Sequence, residues 1–174
     1  MYVQQYKLPK TMRGAVAVEL ALLLIPMLML ALGAAEFGRA LYQYNTLVKA
    51  TRDAVRHLSQ INPTATGYSQ AKTEAKCLAV YGNTACSGNP LAPGLTTDLI
   101  FICDRQNTES GCESIDNYAN VATGSALAPG PTINLVEVGI AGYTFNFILD
   151  PRTFWGGGED SITFGDITAA MRQS

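Results

Sequence analysis

An apolar run near the N-terminus, from Ala15 to Ala35, constrains this chain more than any other feature. A helix rises about 1.5 Å per residue, so a run of about 21 residues forms a helix roughly 31 Å long, the thickness of a hydrocarbon core. The run contains a single charged residue, Glu19. It therefore predicts a transmembrane helix in residues 15–35, with the remainder of the chain arranged on either side of a membrane.

The charges that flank the apolar run predict its orientation. Residues 1–14 contain Lys7, Lys10 and Arg13 and no acidic residue. Positive charge beside the first apolar span holds that end of the chain in the cytoplasm. We therefore expect residues 1–14 to be cytoplasmic and everything from Glu36 onwards to lie outside the cytoplasm.

The helical pattern continues beyond the apolar run. Apolar residues recur at spacings of three, four and seven, and charged residues mostly lie off this stripe; the stripe consists of Phe37, Leu41, Tyr44, Val48, Val55 and Leu58. The pair Asn62-Pro63 is a firm stop. The sequence thus predicts one helix from about residue 15 to about residue 60, amphipathic over residues 36–62, with its stripe packed against another part of the chain.

Residues 63–174 are predicted to form that other part, an extracytoplasmic module. The predicted elements are a short helix at Tyr68–Tyr81, strands at Leu95–Cys103, Ile133–Leu149 and Ser161–Thr168, a long loop at 107–131 and a turn at Trp155–Gly158. A long helix on a small antiparallel sheet, with one short extra helix, is an α+β fold.

The strand predicted at Ile133–Leu149 is the strongest of the three. Val136, Val138 and Ile140 share one parity, whereas Leu135, Tyr143, Phe145 and Phe147 share the other, so both faces carry apolar side chains. Gly139 and Gly142 interrupt the pattern and predict a bulge or a bend.

Four cysteines lie in the predicted extracytoplasmic module. Four cysteines allow three connectivities, and we expect the two local pairs, Cys77–Cys86 and Cys103–Cys112, because each pair is nine positions apart across a short loop. Each disulfide would close a loop of about ten residues and stabilise the fold by roughly 2–3 kcal/mol. Disulfides belong to oxidising compartments, in agreement with the orientation above; four free thiols in a reducing compartment are the alternative.

Several function classes do not fit the composition. A net charge of −2 supplies no excess of cations for a nucleic-acid partner. One histidine and the absence of a C-x-x-C spacing argue against a zinc site, and we predict neither a metal nor a cofactor. His57 is predicted to be a solvated surface residue, and no nucleophile motif accompanies it, so we expect no enzymatic activity.

Acidic residues cluster around the second pair of cysteines. They are Asp98, Asp104, Glu109, Glu113 and Asp116. Carboxylate oxygens suit calcium, but the spacing of an EF-hand is absent. We therefore expect a solvated acidic loop.

The junction between the basic leader and the apolar run is the candidate functional site. A cut after Gly14 would create an ammonium on Ala15, about one helical turn from Glu19. A lone glutamate in hydrocarbon costs about 2.5–3.5 kcal/mol, so it needs a partner. The new ammonium of the same chain, or that of a neighbouring subunit, would supply one.

These residues resemble a known family. Gly14 and Glu19 resemble the type IV prepilin cleavage signal, and the stretch with Glu19, Pro26 and Glu36-Phe37-Gly38-Arg39 resembles the TadE-like proteins, which are minor pilins or pseudopilins of the tight-adherence (Flp) type IV pilus system. The resemblance covers about Arg13 to Leu58. It does not decide whether Glu36 and Arg39 form an assembly contact or a local helix pair.

The resemblance implies a pilin-like fold, and it also implies how the protein is processed, inserted and assembled. A prepilin peptidase would remove residues 1–14, and the mature protein would wait in the bacterial inner membrane with its module in the periplasm, and then assemble, prime or cap a pilus at the cell surface. Its implied partners are other pilin and pseudopilin subunits, the inner-membrane assembly platform and membrane lipid. Leu20 stands where the major Flp pilin usually has tyrosine, and the chain is longer than that pilin, so a minor subunit is favoured.

Three alternatives stay open at this point. An uncut signal anchor would pair Glu19 with another membrane helix. A secretory signal peptide cut at Gly33-Ala34-Ala35 would release a soluble domain that begins near Glu36. A single-span anchor would also suit a periplasmic binding module or an enzyme that joins no filament. Such an anchor does not require a carboxylate at Glu19.

Overall fold

A computed structural model of the chain describes residues 10–106, 109–112, 114–125, 127–128, 130–148 and 161–174, with side chains from Gly14 onwards. Its elements are α1 Lys10–Ser59, α2 Tyr68–Tyr81, β1 Ile100–Cys103, β2 Val121–Ala122, β3 Thr132–Ile140, β4 Thr144–Asn146, β5 Ser161–Thr163 and β6 Ile167–Gln173, with 3-10 turns at Thr97–Leu99 and Ile115–Asn117. The chain forms two compact units, Met1–Arg39 with Phe147–Asp160, and Ala40–Asn146 with Ser161–Ser174.

The helix α1 confirms the long N-terminal helix. It ends at Ser59, one residue from the predicted end, and it continues through Pro26. It begins at Lys10 rather than at residue 15, because Gly14, whose cost in a helix is only about 1 kcal/mol, does not end it. Proline is well tolerated at or just before the first turn of a helix, where no donor is needed.

The first unit contains the apolar run. Its most apolar 18-residue window has a mean hydropathy of 2.5, and none of that window is buried within the protein. Leu30, for example, is 75% exposed. This helix is long and apolar enough to cross a membrane.

In the second unit, α1 buries a face that differs from the predicted stripe. Val55 and Leu58 are fully buried, as expected, but Leu41 and Tyr44 remain nearly half exposed. The buried line instead consists of Gln43, Leu47, Ala50, Thr51, Ala54, Val55 and Leu58. The prediction counted large apolar residues only, whereas small and polar side chains also lie on the face that the core covers.

The sheet is antiparallel throughout and confirms the α+β fold class. β3 is the central strand: β1 pairs with its second half, from Ile100 opposite Ile140 to Cys103 opposite Glu137, while β2 pairs with its start. β6 pairs with β3 over Asn134–Ile140. β4 and β5 form a separate two-stranded ladder.

The predicted strand at Ile133–Leu149 is two strands. β3 ends at Ile140, and Gly142 adopts φ +68° before β4 begins. The left-handed conformation, which glycine adopts without strain, reverses which parity points inward. Val136 and Val138 are therefore buried in β3, and Tyr143 and Phe145 are buried after the break, which a continuous strand would not allow.

Other predicted boundaries also change. Only the second part of Leu95–Cys103 is a strand, because a 3-10 turn occupies Thr97–Leu99. The segment Ser161–Thr168 contains β5 and the start of β6, which continues to Gln173. The loop at 107–131 contains β2 and a 3-10 turn. The turn predicted at Trp155–Gly158 lies outside the described residues.

Gly139 allows an aromatic ring to pack directly on the backbone of β3. Phe101 stands opposite Gly139 in the sheet, and a Cβ added to Gly139 would lie only 2.1 Å from Phe101 Cζ. Gly111 also lies against this ring, at its Cγ end, because a Cβ added to Gly111 would lie 3.6 Å from Phe101 Cγ. β3 pairs residue by residue with β1 and β6 through Gly139, so the interruption predicted there is absent and the glycine serves this contact.

We expect Gly139→Ala to lower the free energy of unfolding by about 1–3 kcal/mol, because the ring of Phe101 must move out of a packed site. Gly165→Ala is the matched control, since no atom lies within 4 Å of its added Cβ. Urea unfolding of both full-length variants, followed by circular dichroism, measures the difference. Equal stability of the two variants would contradict the role assigned to Gly139.

Candidate processing and assembly site

Gly14 and Ala15 lie within α1 and are exposed to solvent. No atom lies within 4 Å of a Cβ added to Gly14, so the helix itself would accommodate a side chain there. The expected cleavage site is therefore free of contacts with the rest of the described chain.

Glu19 is exposed on the apolar part of the same helix. It follows Ala15 by four residues, which places both on one face about 6 Å apart along the axis. No ion pair is formed by Glu19 with any residue that the structure describes. This arrangement presents an acceptor for a cation in a region that otherwise offers only hydrocarbon side chains.

Glu36 and Arg39 form a local ion pair at the end of the apolar run. Arg39 Nη2 donates to Glu36 Oε2 at 2.6 Å, and only 12% of the Glu36 side chain is exposed. The same carboxylate oxygen accepts the backbone N–H of Ile148 at 3.4 Å. The structure thus contains the local pair, and an assembly contact of these residues stays a prediction.

Both local disulfides are present. Cys77–Cys86 joins α2 to the loop that follows it, with a Cα–Cα distance of 4.8 Å. Cys103–Cys112 joins the end of β1 to a loop, with a Cα–Cα distance of 5.6 Å. Each closes a short loop at the edge of the core, because Cys77 and Cys103 are buried. They stabilise the module and contribute no group for chemistry.

The loop closed by Cys77–Cys86 is also stabilised by hydrogen bonds of its own residues. The N–H of Gly82, in the left-handed conformation, donates to the carbonyl of Leu78 and ends α2. Asn83 then donates from Nδ2 to the carbonyl of Ser87 at 2.7 Å. This loop is therefore built to bring Cys86 back to the helix.

Asp104 corrects the expectation of a solvated acidic loop. Its side chain is fully buried and its Oδ2 lies 2.6 Å from Lys72 Nζ. The phenol of Tyr68 donates to the same oxygen at 2.9 Å, and the backbone N–H of Gln106 donates to Oδ1 at 2.8 Å. The sequence carried no signal for this site, since Lys72 lies in α2 and Asp104, 32 positions later, follows β1.

Burial raises the pKa of Tyr68 well above its ordinary value, and the hydrogen bond to Asp104 acts in the same direction. The phenol therefore stays protonated and remains a donor to Asp104. Gln173, at the end of β6, donates in turn to the Tyr68 oxygen at 2.8 Å. The resulting network joins α2, the end of β1 and the end of the chain.

The other acidic residues behave differently from Asp104. Asp98 and Asp116 are exposed, as expected, and Glu109 pairs with Lys76 at 2.9 Å. Glu113 lies outside the described residues. Among the residues with described positions, no group of three His, Cys, Asp or Glu side chains is arranged to hold a metal ion.

His57 is partly buried rather than fully solvated. Its Nε2 lies 3.3 Å from Glu74 Oε2, and 28% of its side chain is exposed. The contact joins α1 to α2, so the imidazole has a structural neighbour on the second helix.

Comparison with known proteins finds a similarity in the N-terminal part of the chain. Residues 14–56 match the family described as TadE-like protein. The matched range is about a quarter of the chain and begins at Gly14, so it includes Glu19 and the pair Glu36–Arg39. Neither the curated proteins nor the solved structures that were compared include a significant match. The resemblance inferred from the motifs is confirmed over this segment, and it associates the chain with the tight-adherence pilus system.

Proposed function

From the TadE-like segment at residues 14–56, we propose that this chain is a minor pilin, or pseudopilin, of a tight-adherence (Flp) pilus. A prepilin peptidase removes residues 1–14 on the cytoplasmic side. Residues 15–35 then hold the protein in the inner membrane, and residues 63–174 form a periplasmic module. The mature protein assembles, primes or caps the pilus together with other pilin subunits and the assembly platform.

The observation that carries this proposal is Glu19. The carboxylate is exposed among apolar side chains, four residues after Ala15, where hydrocarbon would surround it in a membrane. Such a group costs about 2.5–3.5 kcal/mol on insertion scales, and a cationic partner removes much of that cost. Hydrolysis of the peptide bond between Gly14 and Ala15 supplies such a cation on the same helix face.

The pairing also provides a basis for assembly. A helix gains no hydrophobic free energy when it leaves lipid to pack against other apolar helices, so specific contacts must stabilise the filament. An ion pair between the Ala15 ammonium of one subunit and Glu19 of the next is such a contact. It is strong in a low-dielectric environment, and its short reach sets the stagger between neighbouring helices.

The disulfides support the proposed orientation. Both lie beyond the apolar run, at Cys77–Cys86 and Cys103–Cys112. Disulfides persist in the bacterial periplasm and are rare in the cytoplasm. The basic residues of the leader favour the same topology, because positive charge stays on the cytoplasmic side.

The processing step is tested by the N-terminal sequence of the protein recovered from membranes. We expect it to begin at Ala15 in the wild type, and we expect Gly14→Val to retain residues 1–14. A Cβ added to Gly14 has no atom of the described structure within 4 Å, so a failure of processing is attributed to recognition by the peptidase.

Gly33→Val is the matched control, because its added Cβ also has no neighbour within 4 Å, and this variant should be processed normally. A wild-type protein that begins at Met1 would contradict processing and favour a plain anchor. A protein that begins near Glu36 would indicate a secreted domain instead.

A further inference from the structure

A distant segment of the chain returns to α1 at the outer end of the apolar run. The backbone N–H of Ile148 donates to Glu36 Oε2 at 3.4 Å, although the two residues are 112 positions apart. Glu36 is held in place by Arg39 at 2.6 Å. All three residues belong to the first compact unit, together with the apolar run itself.

This contact lies at a defined level of the helix. Glu36 follows Ala35, the last residue of the run, and is about 31 Å from Ala15 at the rise of an α-helix. That distance equals the thickness of a hydrocarbon core. When Ala15 lies at the inner boundary of the core, Glu36 lies at the outer boundary, where acyl chains meet lipid headgroups.

Two apolar side chains are exposed at this level. Ile148 is 73% exposed and Phe37, which follows Glu36, is 65% exposed. Beside them, the opposite charges of Glu36 and Arg39 are paired, and the backbone N–H of Ile148 has an acceptor. Exposed apolar side chains beside paired charges suit insertion at the interface between acyl chains and headgroups.

We propose that Ile148 and Phe37 insert into the interfacial layer of the outer leaflet. The segment around Ile148 then contacts the membrane in addition to the spanning helix. Glu36 and Arg39 are positioning residues for this contact. The occupant is lipid, because Phe37 follows Glu36 in the chain, Ile148 is bonded to Glu36, and Glu36 directly follows the apolar run in the same unit. The inference rests on the proposed function only in requiring residues 15–35 to span the bilayer.

Tryptophan fluorescence in vesicles tests the contact. In a full-length Trp155→Phe background, which removes the single native tryptophan, Ile148→Trp is reconstituted into vesicles of phosphatidylethanolamine and phosphatidylglycerol that carry brominated acyl chains. A side chain inserted about 5–10 Å into the headgroup boundary should be quenched about twofold by bromines near the headgroup and much less by bromines at the chain ends.

Two further variants serve as controls. Leu24→Trp, within the apolar run, should be quenched by bromines deep in the acyl chains and so reports insertion of the span. Leu127→Trp replaces a side chain that is 99% exposed, and it should not be quenched. Equal quenching of Leu127→Trp and Ile148→Trp would mean that exposed apolar residues adhere to lipid without specificity, which overturns the proposal.

The positioning role is tested in the Ile148→Trp protein. Glu36→Ala removes the acceptor of the Ile148 N–H, so residue 148 is no longer held at the depth of the headgroups. Headgroup quenching should therefore fall by about half or more. Glu36→Gln keeps a side-chain carbonyl oxygen and should retain most of the quenching. Identical quenching in the two variants would exclude Glu36 as the positioning residue.

The outcomes separate this inference from the proposed function. If Leu24→Trp is not quenched by lipid, the span is not in the bilayer, and both proposals fail. If Leu24→Trp is quenched while Ile148→Trp responds only to aqueous iodide, this inference alone is overturned. Shielding of Ile148→Trp from both iodide and brominated lipid would show that protein covers the site, which also overturns it.

Discussion

Replacing Glu19 with alanine is expected to leave membrane insertion intact and to abolish incorporation into the pilus. Alanine removes a carboxylate whose insertion costs about 2.5–3.5 kcal/mol, so the span should enter the membrane at least as well as before. It also removes the acceptor for the ammonium of Ala15, on which the proposed stagger between helices depends. Membrane fractionation measures the first effect, and the amount of the protein in sheared pili measures the second.

Leu20→Ala is the matched control for Glu19→Ala. It truncates the neighbouring side chain of the same helix, which is 64% exposed, and it leaves the carboxylate in place. This variant should be incorporated nearly as well as the wild type. Normal piliation of Glu19→Ala would remove the assembly role of Glu19, and equal losses in both variants would show that helix packing, rather than the ion pair, drives assembly.

Lys72→Ala is expected to destabilise the module by about 3–5 kcal/mol, because it leaves the fully buried Asp104 carboxylate without its cation. Tyr68 and Gln106 continue to donate hydrogen bonds to Asp104, so the lower part of this range is expected. Urea unfolding of the full-length protein in detergent, with the disulfides intact, measures the loss.

Lys76→Ala provides the comparison for Lys72→Ala. It lies one turn further along α2, and its pair with Glu109 leaves about a quarter of each side chain exposed. Water screens such a pair, so the variant should lose no more than about 1 kcal/mol. Asp104→Asn should restore part of the stability when combined with Lys72→Ala, since no buried charge then remains. Similar losses for the two single lysine variants would refute the distinction between a buried and a surface pair.

Features with short sequence separation were predicted well. The apolar run, the ends of α2 and the stop after Ser59 follow from hydropathy, helical period and the Asn62-Pro63 pair, which act within a few residues. The two disulfides also join cysteines only nine positions apart, across loops that the chain closes locally. Gly142 was recognised as a break, although its effect on the buried face of β4 required the backbone conformation.

The sequence by itself therefore determined a helix long and apolar enough to cross a membrane, its continuation to Ser59, two local disulfides and a single carboxylate within the apolar run. Tertiary structure alone decided which face of α1 is buried, that Asp104 is an interior ion-pair partner of Lys72, and that Ile148 meets Glu36. The physical reason is that periodicity and turn chemistry are encoded in neighbouring residues. The burial of a charge or the return of a distant segment depends on which elements pack together, and that is settled only when the whole chain has folded.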